Sequence, residues 1–304
     1  MFTVTKHGAT VGKAMVLGLL MATLLAIALS SVPAGAAVTS GKAFAWGYNE
    51  FGHLGNGTHG LGTEKNLPGA VGNLTGVKSV KAGGDHGLAL KENGTVWAWG
   101  ENNYGQLGNE TSGPGTDKNL PIKVASLGTG VKAIAAGQYH SLALMKDGTV
   151  RSWGQNSDGQ LGNGTDDPRD TPGPVSNLSG VKAIATDAAG SHNLALKTDG
   201  TVRSWGYNSR GQLGNGASLP GADKTTPVRV ANLSNVKAVA TGGYHSLAVL
   251  ESGRARAWGY NEYGQLGNGA SGAAADSDVP VAVKDLLNVR NMDGGYVHTL
   301  AVAP

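Results

Sequence analysis

The stretch WGQNSDGQLGNG, which runs from Trp153 to Gly164, decides the fold of this chain. It contains a Trp-Gly pair, an asparagine three residues after the tryptophan, and a Gly-Gln-Leu-Gly-Asn block. The pattern occurs five times, with His53 replacing the glutamine in the first copy, and its tryptophans are Trp46, Trp99, Trp153, Trp205 and Trp258. Their spacings are 53, 54, 52 and 53 residues. A period of this length is typical of an architecture in which each repeat is one supersecondary unit.

Each repeat contains four short runs that have the composition of β-strands. In the unit that spans residues 121–154, the runs are Pro121–Leu127, Val131–Ala136, His140–Lys146 and Thr149–Trp153. The Asp147-Gly148 pair between the last two predicts a tight hairpin of type I′, in which both residues have positive φ. Four strands per repeat predict one blade of a β-propeller.

The two ends of the chain predict how the blades close into a ring. The chain ends just after a histidine block, Tyr296–Val302, and Gly41–Trp46 has the pattern of a fourth strand. Pairing of these ends would complete a fifth blade and leave no open edge. We therefore predict, for residues 38–304, an all-β fold. The expected fold is a β-propeller of about five four-stranded blades, closed by pairing of the N- and C-terminal strands. An open arc that a second chain completes is the alternative.

The repeat resembles that of the regulator of chromosome condensation (RCC1) family. The resemblance lies in the Trp-Gly-x-Asn-x-x-Gly-Gln-Leu-Gly-Asn-Gly stretch, the histidine with its Leu-Ala, and the Asp-Gly-Thr-Val hairpin, over residues 41–303. It implies a propeller fold. Members of that family resemble seven-bladed propellers, whereas five units are counted here, so the blade number departs from the family pattern.

Residues 1–36 have the pattern of a secretory signal peptide. Lys6 and Lys13 precede an uncharged run, residues 14–32, which the small residues Pro33-Ala34-Gly35-Ala36 follow. This order predicts cleavage at the end of the segment and a secreted, extracellular protein, an exported bacterial-type member of the family. The uncharged run is also long enough to span a bilayer, so an uncleaved membrane anchor is the alternative.

Composition excludes several classes of function. The chain has 50 glycines, 40% hydrophobic residues and no cysteine, which excludes a disulfide framework, a zinc–thiolate site and a cysteine nucleophile. Its formal charge is +3, and without Lys6 and Lys13 it would have 22 basic and 21 acidic residues. Such a balance gives no support to nucleic acid as a partner. We predict no cofactor and no metal.

The repeated polar and aromatic residues have structural interpretations. We expect the five tryptophans to pack between neighbouring blades. The five histidines that open the second block, which lie about 53 residues apart, are expected to hydrogen-bond between strands rather than to ligate a metal. They are His86, His140, His192, His245 and His298. The asparagines after each tryptophan are expected to hydrogen-bond loop backbone groups. No catalytic residues are predicted.

Two sets of variable residues are the predicted binding residues. The first set lies two residues before each tryptophan, on the same strand face, and consists of Phe44, Trp97, Arg151, Arg203 and Arg256. The second set lies in the loops after the Gly-Asn blocks and contains Lys65, Lys118, Arg169 and Lys224. Because the repeats align, these loops should cluster on one rim, where a rigid scaffold commonly carries its binding residues.

The leading functional hypothesis is an exported, non-catalytic binding scaffold whose rim loops bind a protein or a surface glycan. We expect a monomer that contacts a membrane only if residues 1–36 stay attached. The resemblance also implies two more specific hypotheses: inhibition of a β-lactamase, and guanine-nucleotide exchange on a small GTPase. A rim-pocket hydrolase or lyase is a further alternative, because fold alone does not settle function.

Overall fold

A computed structural model describes residues 41–219, 221–272 and 274–304, which form 19 β-strands in five antiparallel sheets. The first sheet has the order β1-β2-β3-β4-β5: β1 Gly41–Gly47, β2 Lys65–Ala82, β3 His86–Lys91, β4 Val96–Gly100 and β5 Lys118–Lys123. A short 3-10 helix, Ala125–Leu127, follows it. The predicted signal segment, residues 1–36, lies outside the described residues.

Three four-stranded sheets and one two-stranded sheet follow. The second sheet contains β6 Val131–Ala136, β7 His140–Met145, β8 Val150–Gly154 and β9 Arg169–Pro174. The third contains β10 Val181–Ala185, β11 His192–Lys197, β12 Val202–Gly206 and β13 Lys224–Arg229. The fourth contains β14 Val236–Thr241, β15 His245–Leu250, β16 Ala255–Gly259 and β17 Ser277–Ala282. The last contains β18 Asn291–Gly294 and β19 Thr299–Val302. Each four-stranded sheet is the meander that the sequence predicts.

The hairpin between the second and third strands of each four-stranded sheet differs from the predicted type. Gly148 has a φ of 80°, whereas Asp147 is not in the positive-φ region. The Met145 carbonyl accepts from the Gly148 amide at 3.1 Å, and the Asp147 carboxylate accepts from the Thr149 amide at 2.9 Å. The turn therefore needs left-handed backbone only at the glycine. The side-chain oxygen of the residue before the glycine stabilises the turn. With the equivalent β3–β4 hairpin of the first sheet there are four such turns, and Asp or Asn precedes the glycine in three of them.

The core lies between neighbouring sheets, and four of the five tryptophans are buried as predicted, whereas Trp46 is 43% exposed. Trp153 is fully buried against Leu88, Leu90 and Val96 of the first sheet. Trp205 and Trp258 occupy the same position in the next two junctions, also with no exposed surface, and Trp99 is 4% exposed. Burying an indole removes about 150–250 Å² from water, so each junction gains a large hydrophobic contribution from one residue.

A repeated hydrogen-bond cluster joins each sheet to the next. Between the first two sheets, the Gln106 carbonyl accepts from Trp153 Nε1 at 2.8 Å and from Ser141 Oγ at 2.9 Å. Because the Ser141 hydroxyl donates its proton to Gln106, it accepts from His86 Nε2, 2.9 Å away. His86 therefore carries its proton on Nε2. The histidine prediction is confirmed for His86, and its bond connects different sheets.

The next two junctions repeat this cluster with local changes. At the second, the Gln160 carbonyl accepts from Trp205 and Asn193, and Asn193 accepts from His140. The third has Gln212, Trp258, Ser246 and His192 in the same roles. At each of these junctions, the packing of the tryptophan and the hydrogen-bond cluster around the glutamine carbonyl together fix the same rotation between successive sheets.

The described residues do not show the predicted closure, because β1 and β19 do not pair. Strand β1 pairs with β2, from Gly41 opposite Val77 to Gly47 opposite Lys65, and β19 pairs only with β18 in the described chain. Strand β2 is continuous over 18 residues and pairs with β1 through its first part and with β3 through its last part. This continuity holds β1 in the first sheet. No sheet closes, and a ring of five blades remains a prediction.

Candidate protein-interaction face

The candidate site is the face of the sheets that carries the longer loops. In each four-stranded sheet, the loop between the first two strands and the loop between the last two leave from the same end, because the strands are antiparallel. Neighbouring short loops are hydrogen-bonded to one another: the Gly84 amide donates to the Gln138 carbonyl at 3.1 Å, and the Gln138 amide to the Gly190 carbonyl at 3.2 Å. We call this end the loop face, and the end with the Asp-Gly hairpins the hairpin face.

A buried asparagine organises each long loop. Asn102 Oδ1 accepts from the Leu107 amide at 3.0 Å, and its Nδ2 donates to the Thr111 carbonyl at 2.8 Å. Asn49, Asn156, Asn208 and Asn261 make the equivalent pair of bonds. The predicted role of these asparagines is confirmed. Their bonds give the loops a fixed shape, which lowers the entropy cost of binding at this face.

All eight tyrosines of the chain lie in loops of this face. They are Tyr48, Tyr104, Tyr139, Tyr207, Tyr244, Tyr260, Tyr263 and Tyr296. Tyr48, Tyr104 and Tyr263 are exposed, and the other five are half-buried. Sequence reasoning missed this set, although a signal was present. Tyrosine occurs directly before the block histidine in two repeats and directly after Trp-Gly in three.

Tyr244 is the centre of the largest aromatic cluster. Its ring lies 5.5 Å from that of Tyr296, 6.1 Å from Tyr207 and 6.3 Å from Tyr260, all edge-on. Burial and the bond to Tyr296 raise the pKa of Tyr244 to about 12, so its phenol stays neutral at physiological pH. Edge-on contacts of this kind fix the ring positions and add to the stability gained from burial.

Arg210 lies over this cluster and connects it to an acidic loop. Its guanidinium carbon is 4.9 Å from the centroid of Tyr260, and its Nη1 is 3.5 Å from Asp276 Oδ2. Asp276 also accepts from the Asn261 amide at 2.8 Å, which ties the arginine to the loop-organising asparagine. Tyrosine and arginine are the residue types that dominate binding energy at protein interfaces.

Carboxylates surround the tyrosines. Five acidic groups in or beside the loops have pKa values raised by burial: Asp85, Glu101, Asp158, Asp187 and Asp293. The pKa of Asp187 reaches about 6, mainly through burial and in part through the Asp293 carboxylate. None of the five forms an ion pair in the described part of the chain. The loop face therefore combines aromatic rings with carboxylates that a cationic partner would stabilise.

The first set of predicted binding residues lies within the sheets. Arg151, Arg203 and Arg256 are half-buried in the middle of the third strands, opposite Ala143, Ala195 and Ala248. Trp97 is also half-buried, with Lys91 Nζ 5.5 Å from its ring, whereas Phe44 on β1 is 53% exposed. Phe44 and Trp97 lie on β1 and β4 of the first sheet, and the three arginines lie in three other sheets, so the structure does not bring the five residues together. Their binding role stays a prediction.

The second set occupies one equivalent position. Lys65, Lys118, Arg169 and Lys224 begin β2, β5, β9 and β13, each opposite the glycine that follows a tryptophan. This places them at the outer border of the loop face. Burial and the nearby Arg151 lower the pKa of Arg169. The predicted clustering of loops on one rim is consistent with this arrangement, and the binding role of the four cations is a prediction.

Two further observations concern alternative classes of site. Among the described residues, no group of three or more His, Cys, Asp or Glu side chains has the arrangement of a metal site. Within the same ranges, the structure contains no helix with the length and hydropathy of a membrane span.

Comparison with known proteins identifies the repeats. Residues 23–237 match a model described as RCC1-like domain, and residues 236–265 and 252–302 match two models of the regulator of chromosome condensation (RCC1) repeat. The chain is 32% identical over 268 residues to the ultraviolet-B receptor UVR8 of Arabidopsis thaliana, covering 86% of this chain and 58% of the receptor. It is 34% identical over 250 residues to the mitochondrial RCC1 domain-containing protein RUG3 of the same plant, covering 79% and 55%.

A solved structure has the same architecture. Yeast RCC1 (Prp20), in a crystal structure bound to Kap60, superposes with a TM-score of 0.74 at 27% identity, covering 88% of this chain and 63% of that one. The chain spans a little over half the length of the two plant relatives, UVR8 and RUG3. The match to the family model covers most of the chain. The chain therefore belongs to the RCC1-repeat family.

Proposed function

We propose that this protein is a non-catalytic scaffold that binds a protein partner through its loop face, and that it does so outside the cytoplasm. The observation that carries the proposal is the placement of all eight tyrosines on that one face, beside Arg210 and five buried or half-buried carboxylates that form no ion pair among the described residues. Family membership supports it, because yeast RCC1 is a relative that binds a protein, Kap60. The export pattern of residues 1–36 supports the location.

The chemistry of the face indicates the kind of partner. Rigid aromatic rings provide contact area at a small entropy cost. Tyr260 is hydrogen-bonded to Glu262, and Tyr104 packs against Tyr139, whose phenol lies near Asp85 and Glu101. The raised pKa values mean that burial of these carboxylates outweighs the effect of any positive charge near them. We therefore expect a partner that presents lysine or arginine side chains around an apolar centre, with binding that weakens as ionic strength rises.

The test is affinity capture from culture supernatant and envelope extract, with three forms of the protein. These are the wild type, a loop-face variant, Tyr104→Ser/Tyr260→Ser, and a hairpin-face variant, Lys146→Ser/Arg254→Ser. We expect the wild type and the hairpin-face variant to retain the same protein, and the loop-face variant to lose it. Circular dichroism and urea unfolding check that all three are folded.

Two outcomes would contradict the proposal. Equal retention by all three forms would show that the partner binds outside the loop face. Release by soluble polysaccharide, with retention that survives protease treatment of the extract, would make a glycan the ligand. For the location, recovery of the protein only inside cells would contradict export.

A further inference from the structure

The charged residues are divided unequally between the two ends of the sheets. From residue 41 onward the chain has 22 basic and 21 acidic residues, and each lies in a loop or nearer one end of its strand. The hairpin face has 16 of the basic and 5 of the acidic residues, whereas the loop face has 6 basic and 16 acidic residues. A chain that is almost neutral therefore has a formal charge of +11 at one face and −10 at the other.

One repeated position supplies a cation of the hairpin face in every sheet. The residue directly follows a valine and lies in the last part of β2, at the second position of β6, β10 and β14, or just before β18. The five residues are Lys78, Lys132, Lys182, Lys237 and Arg290. Four of them are exposed and Lys182 is half-buried. Because β2, β6, β10, β14 and β18 contact one another in turn, this series of cations extends across all five sheets.

Backbone hydrogen bonds hold each hairpin beside this position of the next sheet. The Gly148 carbonyl accepts from the Val181 amide at 3.0 Å, and Lys182 is the next residue. The same bond joins three other pairs at 2.9–3.4 Å: Gly94 and Val131, Gly200 and Val236, and Gly253 and Val289. The repeated bond keeps the hairpins and the valine-linked cations at one level. The hairpin face is therefore a broad surface with regularly repeated positive charge.

The acidic residues of this face leave most of its positive charge uncompensated. Lys197 lies 3.7 Å from Asp199, and it is the one cation of the face that forms an ion pair among the described residues. The Asp147 carboxylate accepts from the amide and the hydroxyl of Thr149, at 2.9 and 2.7 Å. That carboxylate is thus engaged in its own turn. An anionic partner would find the remaining cations available.

We propose that the hairpin face docks on an anionic lipid bilayer. Its cations occur in all five sheets, so a partner that meets them together must extend in two dimensions, as a bilayer does. A nucleic-acid duplex would contact a stripe of them. Ten of the 16 cations are lysines, whose ammonium groups on flexible stems suit lipid phosphates of no fixed geometry. Each basic residue near such a surface strengthens binding about fivefold.

The charge of the opposite face sets the orientation on the bilayer. The loop face, at −10, is repelled by anionic lipids, so the hairpin face contacts the bilayer and the tyrosines point away from it. A partner protein on the loop face would not compete with the lipids. The docking depends on the charges of the hairpin face alone and not on the protein-binding function proposed above.

Cosedimentation of the full chain with vesicles tests the proposal. The vesicles are phosphatidylcholine alone, or phosphatidylcholine with one-third phosphatidylglycerol. We expect the wild type to bind the anionic vesicles at least tenfold more tightly, and to dissociate as NaCl rises from about 50 to 300 mM. The hairpin-face triple variant, Lys132→Ser/Lys237→Ser/Arg254→Ser, should bind the anionic vesicles about a hundredfold more weakly. All three of its positions are exposed.

A second triple variant controls for net charge. His59→Glu/Ser112→Glu/Ser271→Glu also lowers the formal charge by three, but at exposed positions of the loop face. It should bind the anionic vesicles within about twofold of the wild type, because its added charges lie beyond the screening length from the bilayer. Residues 1–36 are present in every form, so any contribution from them cancels. Circular dichroism and urea unfolding check that all forms are folded.

Four results would overturn the proposal. They are equal binding of the wild type to both kinds of vesicle, and an equal loss in the two triple variants. The third is displacement from vesicles by duplex DNA at an equal concentration of phosphate, which would make nucleic acid the preferred occupant. The fourth is salt-sensitive self-association in sedimentation velocity that the hairpin-face triple variant loses, which would make the acidic loop face of a second copy the occupant. The Tyr104→Ser/Tyr260→Ser variant should keep wild-type vesicle binding, so either proposal can fail alone.

Discussion

His86 in the first sheet and Ser141 in the second, 55 residues apart in sequence, are hydrogen-bonded through Nε2 and Oγ at 2.9 Å. Because the serine donates onward to Gln106, the bond requires a neutral histidine with its proton on Nε2. Burial lowers the pKa of His86 and His192 to about 3 and that of His140 and His245 to about 4. These four histidines make the junctions between sheets sensitive to acid.

The first prediction is that stability falls steeply with acidification below pH 6.5. The folded-state pKa values lie below the unfolded value of 6.5, so the stabilisation is complete above pH 6.5 and is lost as pH falls through about 4 to 3. Each histidine contributes a slope of up to about 1.4 kcal/mol per pH unit. Urea unfolding between pH 7.5 and 4.5 measures it. His192→Gln should reduce the slope, and His59→Gln, in an exposed loop, should not; equal slopes in all three proteins would contradict the explanation.

The second prediction concerns Asp187, whose contribution to stability changes with pH in the opposite direction. Its folded pKa of about 6 lies above the usual aspartate pKa of 3.8, so this carboxyl contributes stability at low pH that is lost as pH rises towards 6. Asp187→Asn keeps an acceptor for the Ala189 amide, which lies 2.9 Å from Oδ1. The variant should exceed the wild type by about 1–3 kcal/mol in unfolding free energy at pH 7.5.

The pH dependence of that difference is the check. It should shrink as pH falls from 6 towards 4, as measured by urea unfolding of both proteins at matched pH values. The control is Asp199→Asn in an exposed hairpin, where bonds from Thr201 lower the pKa of the carboxyl. A gain from Asp199→Asn that matched the gain from Asp187→Asn would show that general charge repulsion, not local burial, is the cause.

The third prediction compares two tryptophans of the same repeat position. Trp153 has no exposed surface, and its replacement by alanine should cost about 3–5 kcal/mol of unfolding free energy. Trp46 is 43% exposed on the open strand β1, so Trp46→Ala should cost about 1 kcal/mol or less. Equilibrium urea unfolding of both variants measures the difference. Similar losses would mean that Trp46 is buried in solution, as closure of a ring requires.

The fourth prediction uses two glycines with the same backbone conformation. Gly214 and Gly267 have φ values of 64° and 59°, which asparagine adopts more readily than most residues. Gly214→Asn should cost about 1–3 kcal/mol, because its Cβ would collide with Trp258. Gly267→Asn should cost less, because a Cβ at Gly267 meets only Val283 Cγ1, at 3.1 Å. Thermal unfolding of the pair tests this, and an equal loss would show that the cost comes from the backbone conformation and not from contact with a tryptophan.

The repeat pattern predicted much of the local structure. A Trp-Gly-x-Asn stretch contains its own loop-organising asparagine, whose bonds join residues only five and nine positions apart. The hairpins, the strand order within a sheet and the roles of Trp153 and His86 likewise follow from residues within one repeat or between neighbouring repeats. These features are local, so one sequence is enough to predict them.

The candidate binding face was predicted less well. Reasoning from strand alternation selected Arg151, Arg203 and Arg256, which are dispersed over three sheets. It did not select the tyrosines, because Tyr207, Tyr244 and Tyr296 belong to three different repeats and lie 37 and 52 residues apart in sequence. Only the rotation between sheets brings their rings to within 5.5–6.1 Å of Tyr244.

The sequence alone determined the strands, the sheets and their order, since each depends on contacts within a period of about 53 residues. Whether β1 meets β19 depends instead on the angle that every junction adds along the chain. Small rotations at successive junctions accumulate, so no single repeat encodes the distance between β1 and β19. Tertiary structure decided this point: it holds β1 against β2 and pairs β19 with β18.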